Sequence, residues 1–155
     1  MVHLAQDQPA DGTLADRLNH LFQAVRSKDG REYSNEEVAG TITREQGVSI
    51  SASYLWYLRT GQRDNPTLKH LNALAAFFGV PSAYFFDDVV AERVDGELAV
   101  ATAMRDTGVR DVALRAAGLS AQSLDAIAEV IRRVRQLEGL ASSDDRHDGP
   151  RRRQR

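Results

Sequence analysis

The chain has 155 residues, enough for one ordinary domain or for a small domain with an added module. It contains no cysteine, which excludes disulfides, thiolate metal sites and a cysteine nucleophile and fits a reducing cytosol. Its formal net charge is -2, so any DNA binding must rely on locally placed cations rather than on an overall basic surface.

The first half of the chain shows five short helical patterns and no strand-like alternation. Residues 1–12 are polar and acidic, which predicts a flexible lead-in rather than a secretory signal. Residues 13–86 are predicted to form one compact all-α domain. The predicted caps are Thr13, Ser34 (in a capping box with Glu37), Ser51 and Thr67, and the predicted terminators are Gly47, Gly61 and Gly79. The predicted inward positions are Leu14, Leu18, Leu21, Phe22, Val25, Val38, Ile42, Leu55, Leu58, Leu68, Leu71, Leu74, Ala75 and Phe78.

Residues 87–140 are predicted to add a three-helix module. Its first helix begins at Asp87 and runs to about Thr107, Gly108 interrupts, a short helix covers Val109 to Ala117, and the last helix runs from Ala121 to Leu137. Three short helices bury too little surface to be stable alone, which favours a dimerisation module, although packing on the module's own core would give the same spacing. The predicted dimerisation residues are Val90, Val94, Leu98, Leu124, Ile127, Ile131 and Val134.

The last segment, residues 141–155, is polar and predicted to be disordered. Its arginines, Arg146 and those between 151 and 155, leave two interpretations open. They form either a non-specific DNA-binding arm or a solvated tail with no partner.

The segment most informative about function is SASYLWYLRTGQRDNP, residues 51–66. In a helix-turn-helix, the second helix lies in the major groove and its first residues reach base edges, while its inward positions are apolar. Leu55 and Leu58 suit the inward positions, which leaves a polar and aromatic outer face with cations near its end. The pattern alone is also compatible with any small helical bundle that has a polar face. The predicted DNA-binding residues are Ser51, Ala52, Ser53, Trp56, Tyr57, Arg59, Thr60, Arg63 and Lys69.

This segment, followed by L-x-x-L-A-x-F-F-G-V and Y-F, resembles the phage-repressor (Xre) type of helix-turn-helix protein. Within that type the chain is similar to nucleoid-associated regulators from about Leu14 to Leu140. The similarity includes Arg17-Leu18-Asn19, Ser53-Tyr54-Leu55, Leu58-Arg59, Asn65-Pro66, Ala73-Leu74-Ala75, Phe77-Phe78, Tyr84-Phe85, Met104-Arg105-Asp106, Gly108-Val109-Arg110, Arg115-Ala116 and Gly118-Leu119.

The resemblance implies a homodimer whose C-terminal helices form the interface, with one helix-turn-helix per protomer and the capacity to bridge DNA. It places Ser51, Ala52, Ser53 and Tyr57 near bases, and it places Arg59, Thr60 and Arg63 near phosphates. Trp56 and Tyr57 stand where small or amide residues are usual, and neither makes the bidentate contact of Asn or Gln to adenine. We therefore expect a broad, A·T-influenced sequence preference.

Other functions are less well supported by the sequence. Phosphate-loop and nucleophile-elbow motifs are missing, and His3, His20, His70 and His147 lack metal-ligand spacing, so we predict no catalysis, no cofactor and surface or capping roles for the histidines. No run approaches the roughly 18 apolar residues of a membrane span, and no small-molecule ligand is evident, so we expect a cytoplasmic protein. The resemblance implies that it is nucleoid-associated. An alternative keeps the fold but uses the Trp56–Tyr57 face to bind a partner regulator or a polymerase subunit.

Overall fold

The computed structural model describes residues 12–140, and the predicted all-α fold class is confirmed over that range. The predicted disorder of residues 141–155, and all but the last residue of the predicted lead-in, lie outside the described residues. The elements are α1 (Leu14–Ala24), α2 (Asn35–Gln46), α3 (Ala52–Arg59), α4 (Leu68–Phe78), a 3₁₀ helix (Ser82–Phe85), α5 (Asp88–Ala103), α6 (Thr107–Ala116) and α7 (Ala121–Leu137).

Side-chain caps fix where the helices begin. The predicted caps each accept a hydrogen bond from the backbone N–H three residues on, which satisfies one of the amides that a helix start leaves unpaired. These predicted caps are Thr13, Ser34, Ser51 and Thr67, and Ser120, which was not predicted as a cap, begins α7 in the same way. The sequence thus predicts these helix starts correctly, because a cap depends only on a few neighbouring residues.

The cap of α2 is reinforced by an ion pair. Ser34 and Glu37 form the predicted reciprocal capping box, and Arg31 donates a hydrogen bond to the Glu37 carboxylate at 2.9 Å. The hydrogen bonds from Arg31 and from the Ser34 backbone lower the pKa of Glu37 from an ordinary 4.5 to about 2. The ionised carboxylate is therefore the form that the folded chain prefers.

We expect this preference to make stability depend on pH. Because the folded-state pKa is depressed, the contribution of Glu37 is fully present above pH 4.5 and is lost as the pH falls toward about 2. Urea denaturation of the wild type should show a larger loss of stability across this window than denaturation of Glu37→Gln. Glu97→Gln, an exposed change in α5, is the matched control and should follow the wild type. Parallel curves for the wild type and Glu37→Gln would contradict the assignment.

The structure divides into two compact units between Asp106 and Thr107. The boundary differs from the predicted one at residues 86 and 87, because α5 packs against α1 and the 3₁₀ helix. Ala91 and Val94 of α5 are 6% and 4% exposed and join the core of the first unit. Burial of this face makes α5 part of the first unit rather than of a separate module.

The core of the first unit lies between α1, α2, α3, α4 and the 3₁₀ helix. Phe22 of α1 and Phe78 of α4 meet edge to face at 5.1 Å between ring centroids. Most of the predicted inward positions are buried, although Leu68 is 66% exposed. The buried apolar residues are Leu18, Leu21, Phe22, Val38, Ala39, Ile42, Val48, Ile50, Leu55, Leu58, Ala73, Leu74, Ala75, Phe78, Tyr84, Phe85, Ala91 and Val94.

A buried polar contact attaches α5 to this core. Arg17 is only 3% exposed, and its guanidinium donates to the backbone carbonyl of Tyr84 at 3.3 Å and pairs with the carboxylate of Asp88. The Tyr84 hydroxyl in turn donates to Asp95 at 2.8 Å. Burial and the Asp95 hydrogen bond raise the pKa of Tyr84 well above its ordinary value, so this hydroxyl stays protonated and remains a donor.

Three of the predicted dimerisation residues have a different role. Val94 is buried in the first unit, and Val90 and Leu98 pack against the same core. Their apolar stripe covers the helix-turn-helix unit, so we remove Val90, Val94 and Leu98 from the predicted dimer surface. Spacing alone shows that a helix face is buried, but it does not show what covers that face.

The second unit consists of α6 and α7 in the described residues. The bounds of α7 match the prediction, whereas α6 begins at Thr107 and includes Gly108, which was wrongly predicted to interrupt the helix. Neither helix contains a buried residue. Over residues 12–140 the helices are too short or too polar to cross a membrane.

Candidate nucleic-acid interface

Helices α2 and α3 form the predicted helix-turn-helix. Gly47 ends α2 with a left-handed φ of 66°, a conformation that glycine adopts without strain. Val48 and Ile50 of the connection are buried, and so are the predicted inward residues Leu55 and Leu58 of α3. The turn and the inner face of α3 are therefore fixed by packing, and the opposite face remains available for a ligand.

Arg59 at the end of α3 connects three helices. Its Nε donates to Asn19 Oδ1 of α1 and its Nη1 donates to Asn35 Oδ1 of α2, both at 2.8 Å. Its guanidinium carbon lies 3.9 Å from the centroid of the Phe22 ring, and Asn19 Nδ2 donates to the Arg59 carbonyl at 2.8 Å. Burial lowers the pKa of Arg59 from its ordinary value, and the charge of Glu32 opposes that shift.

These contacts change the interpretation of Arg59. The sequence predicts a phosphate contact, but the structure directs the guanidinium toward Asn19, Asn35 and the Phe22 ring. We therefore assign Arg59 as a positioning residue that holds α3 against α1 and α2. The two asparagines lie 40 and 24 residues away in the chain, so local sequence gives no signal of this contact.

The outer face of α3 is aromatic and neutral. Trp56 is 48% exposed and Tyr57 is 37% exposed, and their rings meet edge to face at 5.3 Å between centroids. Ser53 is exposed beside them, and Ala52 is half-buried. The structure thus brings together four of the predicted DNA-binding residues on one surface.

A shallow groove of about 350 Å³ runs along this face. Its lining combines the outer face of α3 with the first turn of α2. The lining residues are Asn35, Glu36, Ala52, Ser53, Trp56 and Tyr57. The sequence prediction missed Asn35 and Glu36, because their approach to α3 depends on the crossing of two helices rather than on any local pattern.

Several predicted contacts have structural partners of their own. The Ser51 hydroxyl accepts from the Tyr54 N–H at 3.1 Å, so it caps α3. Thr60 donates to the carbonyl of Trp56 at 2.9 Å and closes the other end of the helix. Thr60 must exchange or share its helix contact in order to donate to a phosphate, whereas the Ser51 hydroxyl keeps its O–H available as a donor while it caps α3.

Two predicted cations lie exposed beyond the end of α3. The guanidinium carbon of Arg63 is 5.8 Å from the ring centroid of Tyr54 and 5.6 Å from that of Tyr57. Lys69 lies exposed in the first turn of α4. Within residues 12–140, no carboxylate lies within ion-pair distance of either side chain.

Two of the four histidines can be placed. His20 Nε2 lies 3.2 Å from Asp95, and His70 Nε2 lies 3.2 Å from the carbonyl of Ser49. Both histidines are half-buried and make these contacts within the first unit. His3 and His147 lie outside the described residues.

Comparison with known proteins finds two curated relatives. Two curated relatives, the nucleoid-associated protein EspR of Mycobacterium tuberculosis strain CDC 1551 / Oshkosh and that of strain ATCC 25618 / H37Rv, are each 40% identical to this chain over 128 residues. The alignment covers 83% of this chain and 96% of each relative. A search of family models gives no match. Because the identity extends over nearly the whole length of these relatives, the chain belongs to the family of the nucleoid-associated protein EspR.

Proposed function

We propose that the chain is a double-stranded DNA-binding, nucleoid-associated transcription regulator that acts without catalysis in the bacterial cytoplasm. Its recognition helix is α3, inserted in the major groove in the manner of the Xre type. The observation that carries this proposal is the outer face of α3, which is held rigidly by Arg59 and is left exposed at Ser53, Trp56 and Tyr57. The printed name of the two relatives, a nucleoid-associated protein, supports the same function.

The charge needed for DNA binding is supplied locally. With a net charge of -2, the chain lacks the broad basic surface that would attract DNA from any direction. Arg63 lies next to the Tyr57 ring of α3, Lys69 lies in the first turn of α4, and both residues are exposed. Few phosphate contacts imply a modest dependence of affinity on salt for each protomer.

We expect Arg63→Gln and Lys69→Gln each to weaken DNA binding to a similar extent for all sequences. Each lost phosphate contact should also reduce the slope of log affinity against log salt by about 0.9 per protomer. Fluorescence anisotropy with a labelled duplex at several salt concentrations measures both effects. Arg93→Gln, the same charge change at an exposed position of α5, is the matched control and should leave the slope unchanged. Unchanged slopes in both test variants would remove these residues from the interface.

The proposed active form is a homodimer joined through the second unit, with bridging of two DNA segments as a consequence. The support is that α6 and α7 contain no buried residue, so their apolar side chains have too little covering of their own. Leu124, Ile131 and Val134 of the predicted stripe are 41%, 46% and 46% exposed, and Ile127 is half-buried. A second copy of this surface would cover the stripe.

The alternative function, a protein-interaction module, uses the same exposed pair. Trp56 and Tyr57 would then bind an apolar patch on a partner regulator or polymerase subunit, since exposed aromatic residues are frequent at protein interfaces. The two functions differ in their response to salt, because apolar contacts with a protein release few ions whereas phosphate contacts release many. Measuring DNA affinity at several salt concentrations therefore separates the two functions.

A further inference from the structure

The groove beside α3 has no adenine reader that is free of other contacts. Asn35 is the single amide side chain among the six lining residues, and its Oδ1 already accepts from Arg59 Nη1 at 2.8 Å. A bidentate contact with adenine requires both the oxygen and the NH₂ group of an amide. While Arg59 holds α3 in place, one lone pair of Asn35 Oδ1 is committed to the guanidinium, so adenine would have to share that oxygen with Arg59.

Guanine is not matched by this lining either. The usual guanine contact is an Arg or Lys that donates to O6 and N7, and neither residue type lines the groove. Glu36 does line the groove, and its carboxylate is an acceptor like the guanine atoms that it would face. The groove therefore disfavours guanine at the position that it covers.

Beside the polar side chains of Asn35, Glu36 and Ser53, the groove presents apolar surface. The Ala52 methyl group and the Trp56 and Tyr57 rings line one continuous face. In the major groove of DNA, the one apolar group carried by an unmodified base is the C5-methyl of thymine. Removing that methyl group from water against an indole ring is favourable and requires no hydrogen bond.

We propose that Trp56, supported by Ala52 and Tyr57, is the specificity-determining residue of this chain and that it recognises the C5-methyl group of thymine. The proposal rests on the proposed DNA-binding function and deepens it by naming the group that is read. It predicts an A·T-influenced preference without any bidentate base contact.

The test compares two duplexes that differ only in this methyl group. One is an A·T-rich duplex, and the other has the same sequence with uracil in place of thymine, which preserves base pairing. Fluorescence anisotropy of the full chain should give an affinity for the uracil duplex roughly fourfold lower for each methyl group buried. Equal affinities would overturn the proposal, while binding to both duplexes would leave the DNA-binding function intact.

Repeating the comparison of the thymine and uracil duplexes with the Trp56→Ala variant shows whether the loss of affinity depends on Trp56. The thymine-to-uracil loss should disappear in Trp56→Ala, because the surface that reads the methyl group is gone. Phe86→Ala removes an aromatic side chain that is 66% exposed outside the helix-turn-helix, and it should keep the full loss. The half-exposed Trp56 contributes little to the core, so thermal melting should show that Trp56→Ala is folded. An undiminished loss in Trp56→Ala would overturn the proposal, since the methyl group would then act through duplex shape.

Discussion

Replacing Arg59 with alanine is expected to lower the free energy of unfolding by about 2–4 kcal/mol, a large effect for a residue outside the apolar core. The change removes the two hydrogen bonds that the charged guanidinium donates, and it also removes the cation–π contact with Phe22. Asn19 Oδ1 and Asn35 Oδ1 are left without their donor. Urea denaturation measures the stability. DNA affinity should fall for all sequences, because α3 loses its fixed orientation.

Arg59→Lys distinguishes a positioning residue from a phosphate contact. A lysine retains the charge but cannot reproduce the planar, two-directional hydrogen bonding to Asn19 and Asn35. We therefore expect Arg59→Lys to lose both stability and affinity, while the salt dependence of binding stays that of the wild type. Arg93→Ala is the control for loss of an exposed arginine. Full stability in Arg59→Lys, or a reduced salt slope in Arg59→Ala at unchanged stability, would show that Arg59 contacts phosphate instead.

The second large effect is expected at Ile131, in the middle of α7. Placing a carboxylate on the proposed dimer surface with Ile131→Glu would bury an unpaired charge, which a marginal interface does not tolerate. Sedimentation velocity at micromolar concentration should then show a monomer where the wild type is a dimer. Because a dimer binds DNA through two recognition helices, its loss should lower the apparent affinity by about 100-fold or more.

The matched control places the same charge on the opposite face of α7. Gln136 is exposed, and its position on the helical wheel is turned away from Leu124, Ile127 and Ile131. Gln136→Glu should remain dimeric and bind DNA like the wild type. A wild-type chain that sediments as a monomer, or an Ile131→Glu variant that stays dimeric, would contradict the proposed interface.

Local features of the fold could be predicted from the sequence. The starts of α2 and α4 follow from Ser34 and Thr67, whose hydroxyls accept from amides three residues on. The end of α2 follows from Gly47, because its left-handed backbone suits glycine. The error at Gly108 has the same local origin: glycine weakens a helix but does not always end it, and α6 contains it in its first turn.

Features that depend on distant contacts could not be predicted. The role of Arg59 is set by Asn19 and Asn35, which approach it only after α1, α2 and α3 have packed. The sequence predicts an apolar stripe on α5 as part of a dimer surface, but Val94 lies in the core of the first unit. In both cases the sequence shows the type of side chain and its helix face, and the tertiary fold decides its partner.

The central proposal is that this chain binds duplex DNA through the exposed face of α3. The most direct measurement is a titration of the full chain against an A·T-rich duplex and against a random-sequence duplex, each at two salt concentrations. Fluorescence anisotropy of the labelled duplex reports the binding. We predict that both duplexes are bound, that the A·T-rich duplex is bound more tightly, and that higher salt weakens both complexes. A chain that binds neither duplex at the lower salt concentration would contradict the proposal and would favour a protein partner for the Trp56–Tyr57 face.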